Sequence, residues 1–183
     1  MPRIIGGLAR GRRINVPRSM RSRPTSDRAK EGLLGTLEDL VGLARARVAD
    51  FYAGSGSVGL EMLSRGAAHC LFVEADPRVA QGVRANATQL GLRGGEVLTA
   101  RAETVARTPP AGEPYDVIFL DPPYETEVDA VLADLCRNGW LAPGGLLAVE
   151  RASRSPEPDW PDSLEGVRSR RYGDATMWYA RHS

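Results

Sequence analysis

Cysteine and histidine are nearly missing from this chain, two of each in 183 residues, and each scarcity closes off a class of chemistry. Cys70 falls in an apolar strand pattern and Cys136 in a helix pattern, with no CxxC and no Cys/His grouping. A disulfide framework is therefore excluded, no metal is expected, and both thiols read as reduced and packed. His69 reads as a strand-edge residue and His182 stands almost at the end of the chain, so a histidine base is not expected. Long apolar runs are also lacking. Nothing approaches the roughly 20 residues of a membrane span, and the Arg-rich start is not followed by an apolar stretch, so neither an anchor nor a secretory signal is read. A cytoplasmic, monomeric protein is expected.

What is present is enough for one packed domain over 1–183, with 42% hydrophobic and 26% charged residues. The net charge of +1 hides an uneven distribution. The first 30 residues carry nine basic side chains against Asp27 alone, a net +8, so the remainder is acidic. Arginine supplies nearly all of this charge, and a guanidinium pairs bidentately with phosphate and displaces counterions. Residues 1–25 therefore read as an arm for a polyanion, with Arg3, Arg10, Arg12, Arg13 and Arg23, together with Arg28, as candidate contacts.

Within that arm, Ile4-Ile5 and Ile14 to Val16 flank Gly6-Gly7 and Gly11, which predicts a small Gly-turned hairpin appended to the domain. Ser26-Asp27 then opens a helix over about 26–43, with Leu33, Leu34, Leu37, Leu40 and Val41 at helical spacing. From Arg47 strands and helices alternate. Strands are predicted at 47–51, 70–74, 96–100, 115–120 and 145–150, and helices at 57–65, 77–90, 102–107 and 126–138. Apolar strands without polar alternation fit a sheet covered on both faces. A Pro-rich stretch, Ser153 to Asp162, replaces the next helix, and two strands at 164–171 and 175–180 turn at Tyr172-Gly173-Asp174. The fold class is α/β: a Rossmann-like, seven-stranded, mostly parallel sheet with helices on both faces.

Asp121-Pro122-Pro123-Tyr124 follows the buried run Val117 to Leu120. It puts a carboxylate, stiffly held carbonyls and an aromatic face at one strand tip. These groups suit a flat amine, and all four residues are candidate catalytic positions. At the first strand tip, Asp50 leads into Ala53-Gly54-Ser55-Gly56, and Gly54, Gly56 and Gly59 satisfy G-x-G-x-x-G. Glu74 ends the second strand 20 residues after Gly54, where a carboxylate takes the ribose hydroxyls of an adenosine. NAD and S-adenosylmethionine both carry that ribose. Asp50 favours the second, because its charge repels pyrophosphate and attracts an ammonium group. Ala102-Glu103 is placed to border the adenine, and Asp121 to reach toward a transferred methyl.

Taken together, these residues resemble the bacterial 16S ribosomal RNA guanine-N2 methyltransferase family over nearly the whole chain. The resemblance is carried by Arg3 to Gly7 with Gly11-Arg12, by Arg23-Pro24-Thr25-Ser26-Asp27-Arg28 with Glu31, by the Asp50 to Gly59 loop, by Asp121 to Tyr124, by Asn138 to Leu141, and by Tyr172-Gly173. It implies S-adenosylmethionine as cofactor, with Thr25 to Arg28 at its methionine end. It also implies an Arg-rich hairpin on 16S rRNA or the assembling small subunit, and methylation of one guanine. Members carry Leu-Phe where this chain has Leu33-Leu34, and Asp where it has Ala102-Glu103. The Asp-Pro-Pro-Tyr motif alone also fits a DNA adenine-N6 or protein glutamine methyltransferase, and the scaffold alone fits a non-catalytic nucleic-acid binder.

Overall fold

The computed structural model describes residues 2–20 and 25–183. Arg23, one of the expected RNA contacts, lies outside the described residues. Among the described residues a 3-10 turn at Arg18–Met20 precedes five α-helices and seven strands, which follow in the predicted order. Helix α1 (Asp27–Leu40) starts where the Ser26 hydroxyl accepts the Ala29 N–H, which satisfies a donor that the first turn leaves open. It buries Leu33, Leu34 and Leu37 on one stripe. Gly32 on this helix is a packing requirement, because a Cβ there would lie 1.9 Å from the Tyr172 hydroxyl. Helix α2 spans Ser57–Ser64. Helix α3 (Pro77–Leu90) is capped by the Asp76 carboxylate, which accepts from Arg78 N and Val79 N, and it stops at the left-handed Gly91. Helices α4 (Ala102–Ala106) and α5 (Val128–Arg137) complete the set.

Strands β1 (Arg47–Phe51), β2 (His69–Glu74), β3 (Gly95–Thr99), β4 (Tyr115–Leu120), β5 (Leu141–Ala152), β6 (Leu164–Tyr172) and β7 (Ala175–His182) form one sheet in the order β3-β2-β1-β4-β5-β7-β6. The first five pair in parallel, and β7 runs antiparallel between β5 and β6. Successive residues point to opposite faces, which explains why the central strands are apolar throughout. Val48, Phe72, Val117, Phe119 and Leu146 pack beneath α1, α2 and α3, while Phe51, Val73, Ile118, Leu120 and Val149 pack beneath α4 and α5.

Two expectations change. Strand β3 is covered on neither face along most of its length, because it is the sheet's edge and α3 reaches only part of it. The N-terminal arm is also not an appendage. It closes as the expected small Gly-turned hairpin, with an antiparallel bridge from Arg3 to Arg13 and with Ile4 N donating to the Arg12 carbonyl and Ile14 N to the Pro2 carbonyl, but it is packed into the domain. Ile4 and Ile14 are fully buried in the main core, so burial of apolar area holds the arm down.

Polar anchors fix its position. The buried Glu61 carboxylate accepts Ile5 N and Gly6 N, pairs with Arg65 at 3.1 Å and lies 3.6 Å from the Lys30 ammonium. Ser64 accepts Ala9 N and donates to the Gly6 carbonyl. Asn86 on α3 accepts Asn15 N and donates back to its carbonyl. The Arg12 guanidinium donates to the Gln89 and Leu90 carbonyls and so caps α3.

Candidate active site

The strand order reverses between β1 and β4, which opens a crevice at the carboxyl edge of the sheet. A cavity of about 930 Å³ lies there. Of the residues assigned to a cofactor from sequence, Thr25, Asp50, Ala53, Gly54, Ser55, Glu74, Ala102, Glu103 and Asp121 line it. Gly56 stands behind them as the left-handed residue, φ 80°, that turns the loop into α2; a Cβ there would meet Val83 at 2.9 Å. Val58, Val73 and Phe119 supply apolar wall, and Pro2, Val16 and Met20 bring the basic arm to the same cavity.

The acids at the strand tips differ in their duties. Asp50 is 1% exposed and accepts the Gly59 N–H at 2.9 Å, so it braces the glycine loop from below. Burial, more than the neighbouring Asp121 and Glu74 charges, raises its pKa well above the usual carboxylate range. Glu74 accepts Gly54 N at 2.8 Å with one oxygen and Asp76 N with the other, which fixes the carboxylate at the loop. Glu103 accepts the Tyr52 hydroxyl at 3.1 Å, and burial together with that carboxylate pushes the Tyr52 pKa up. Thr25 donates to Glu150 at 3.2 Å.

Four contributors were missed from sequence. Tyr52, held at φ 63°, and Lys30 line the cavity, and Lys30 donates to the Arg3 carbonyl and the Ser57 hydroxyl. Burial lowers the Lys30 pKa. Arg151 donates to the Pro123 and Tyr124 carbonyls and staples the loop after β4. Glu150 lies on β5, beside β4, and its pKa rises to about 7 through burial first and the Asp121 charge second. The rule that singled out Asp50 and Glu74, an acid closing an apolar strand, applies equally to Glu150.

The sign of the Glu150 effect is fixed. A carboxyl group whose folded pKa lies above its unfolded value binds a proton more tightly in the fold, so stability falls as pH rises from about 4.5 to about 7. The penalty is complete above that window and is at most on the order of 3 to 4 kcal/mol. Glu150→Gln is expected to flatten this slope in urea unfolding measured across pH 4.5–8. An unchanged slope would remove Glu150 from the charge cluster.

Chains of related sequence share this architecture. The family model described as conserved hypothetical protein 95 matches residues 2–181. The chain belongs to the conserved hypothetical protein 95 family. Ribosomal RNA small subunit methyltransferase D of Haemophilus influenzae is 37% identical over 157 residues, covering 84% of this chain and 80% of its own. The enzyme of the same name from Escherichia coli K12 is 36% identical over 160 residues, covering 87% and 79%. A solved Escherichia coli structure, that of the candidate methyltransferase yhhF, superposes with a TM-score of 0.89 at 31% identity, over 99% of this chain and 97% of that one. This member of the family thus has the Rossmann-like fold of S-adenosylmethionine-dependent methyltransferases. Among its described residues no helix is long and apolar enough to cross a membrane.

The expected RNA contacts on the arm are distributed. Arg3, Arg10, Arg13 and Arg28 are exposed, while the exposed Arg12 spends its guanidinium on α3. Of the expected catalytic residues Asp121, Pro122 and Pro123 line the cavity, whereas Tyr124, the next residue, is 50% exposed and is not part of the lining.

Proposed function

We propose that this chain transfers a methyl group from S-adenosylmethionine to the exocyclic N2 amine of a guanine in 16S rRNA during small-subunit maturation. The observation that carries the reading is the convergence of Glu74, Glu103 and Asp121 with Pro122 and Pro123 on one cavity walled partly by the basic arm. Relatives named as small-subunit rRNA methyltransferases support the substrate class.

The residues present fit the cofactor. Glu74 is fixed where a ribose diol is taken, Val73 and Ala102 offer an apolar berth beside Glu103, and the acidic tips favour a ligand bearing ammonium and sulfonium charge. When bound, S-adenosylmethionine supplies an electrophilic methyl carbon. The protein's part is to prepare the amine. The lone pair of a guanine N2 is delocalised into the ring, so the nitrogen is a weak nucleophile. Accepting its two N–H groups at the Asp121 carboxylate and the Pro122 carbonyl favours a pyramidal nitrogen with its lone pair directed into the cavity. Tyr124 stacks on the base, a contact worth about 1–3 kcal/mol on aromatic platforms, which offsets part of the cost of taking the base from its own stack. The amine, strongly acidic once alkylated, passes its proton to water. No histidine is needed.

Purified protein with labelled S-adenosylmethionine is expected to mark small-subunit rRNA, or its particles, from a strain lacking the corresponding gene. Nucleoside mass spectrometry is expected to show N2-methylguanosine. Label appearing in duplex DNA or protein, with none in rRNA, would overturn the reading.

A further inference from the structure

The loop Asp121 to Tyr124 is met by two arginines that no motif singles out. Arg151 lies near the end of β5, the strand beside β4, and Arg154 in the turn that follows it. Arg151 is half-buried and donates to the Pro123 and Tyr124 carbonyls, so it belongs to the scaffold of the loop. Arg154 is different. It is exposed, it sits in the turn after β5, and its guanidinium lies 4.8 Å from the centre of the Tyr124 ring with Nε donating to the tyrosine hydroxyl at 3.3 Å. The turn that carries it is held by Ser153 N donating to the Asp174 carbonyl and Ser155 N to the Ala152 carbonyl. Glu157, three residues further on, accepts the Trp160 indole.

A planar cation on the ring that is to receive a planar base is a stand-in for that base. An exposed guanidinium on an aromatic face is held more weakly than a stacked nucleobase, so an incoming base displaces it. The freed guanidinium is then beside the sugar-phosphate of the nucleotide that displaced it, and its planar fork matches phosphate oxygens. We propose that Arg154 covers the Tyr124 ring in the free protein and, on substrate binding, passes to the backbone phosphate of the nucleotide whose base takes its place. This deepens the reading of the site and rests on Tyr124 seating the target base. It adds a phosphate contact that does not come from the N-terminal arm.

The test compares wild type, Arg154→Ala and Arg154→Lys in methylation of small-subunit rRNA over 50–200 mM salt. In Arg154→Ala, kcat/KM is expected to fall about tenfold, kcat to stay within about threefold, and the slope of log kcat/KM against log salt to lessen by about 0.7 to 1, the loss of one phosphate contact. Arg154→Lys keeps the charge and is expected to keep the wild-type slope. Wild-type transfer with an unchanged slope in Arg154→Ala overturns this inference alone, as does a rise in its kcat/KM, which would make the guanidinium only a cover. Absence of transfer by wild type overturns the functional reading and this inference together.

Discussion

Asp121→Ala is expected to lower kcat for methyl transfer by roughly 10²- to 10³-fold, the range for removing one preorganised hydrogen-bonding group from a reaction centre. Binding of rRNA should survive, because the arginines proposed to face phosphate lie on the arm and after β5. The reason for so large an effect is that in the proposed reaction the carboxylate acts on the amine itself. Without it, one N–H of the guanine must turn to water or to nothing, and the lone pair returns to the ring. Asp121→Asn should retain more activity, since its carbonyl still accepts one N–H, though without charge. The same variants carry an internal control. Asp121 contributes to the raised pKa of both Glu150 and Asp50, behind burial in each case. The Glu150 midpoint, about 7 in wild type, should therefore fall in Asp121→Asn but stay above the usual carboxylate range. Single-turnover rates and pH-dependent unfolding read these effects separately. Wild-type kcat in Asp121→Ala would end the assignment of the loop as the reacting centre and place the group that prepares the amine elsewhere in the cavity.

The sheet was legible because its central strands are apolar on both faces and its turns are punctuated. Gly91 stops α3 where the periodicity ends, and Ser26 and Asp76 cap helices where they stand in the sequence. The strand tips followed from the same reading, since Asp50, Glu74 and Asp121 each close an apolar run. What stayed hidden depends on pairing between distant segments. Strand β5 begins at Leu141 because that residue pairs with Tyr115 before a register shift past Pro143 and two glycines, which no local pattern announces. Arg154 meets Tyr124 across 30 residues, and Thr25 meets Glu150 across 125. Lys30 counts in the sequence as one of the basic side chains of the first 30 residues, yet it is 1% exposed because the arm closes over it. The arm itself looked detachable, since its glycines and arginines mask two isoleucines that belong to the core.

Glu61→Ala is expected to destabilise the protein by about 3–5 kcal/mol, the cost of leaving a buried ionic partner and buried donors uncompensated. The carboxylate is fully inaccessible and serves four donors at once: Ile5 N, Gly6 N, Arg65 and Lys30. Arg65 can turn to solvent, but Lys30 and the two backbone N–H groups cannot without lifting the arm. Burial already lowers the Lys30 pKa against the opposing pull of Glu61, so the variant should hold that amine neutral or expose it. Combining Glu61→Leu with Lys30→Met should recover part of the loss, because a buried pair replaced whole by apolar groups costs far less than a pair cut in half. The arm also forms one wall of the cavity through Pro2, Val16 and Met20, so loosening it should weaken S-adenosylmethionine binding below the unfolding midpoint. Calorimetry on the folded variant and hydrogen exchange at Ile5 and Gly6 separate that effect from global unfolding. A loss under about 1 kcal/mol with slow exchange at both amides would show that Ile4 and Ile14 hold the arm alone, and Glu61 would then be a buried passenger.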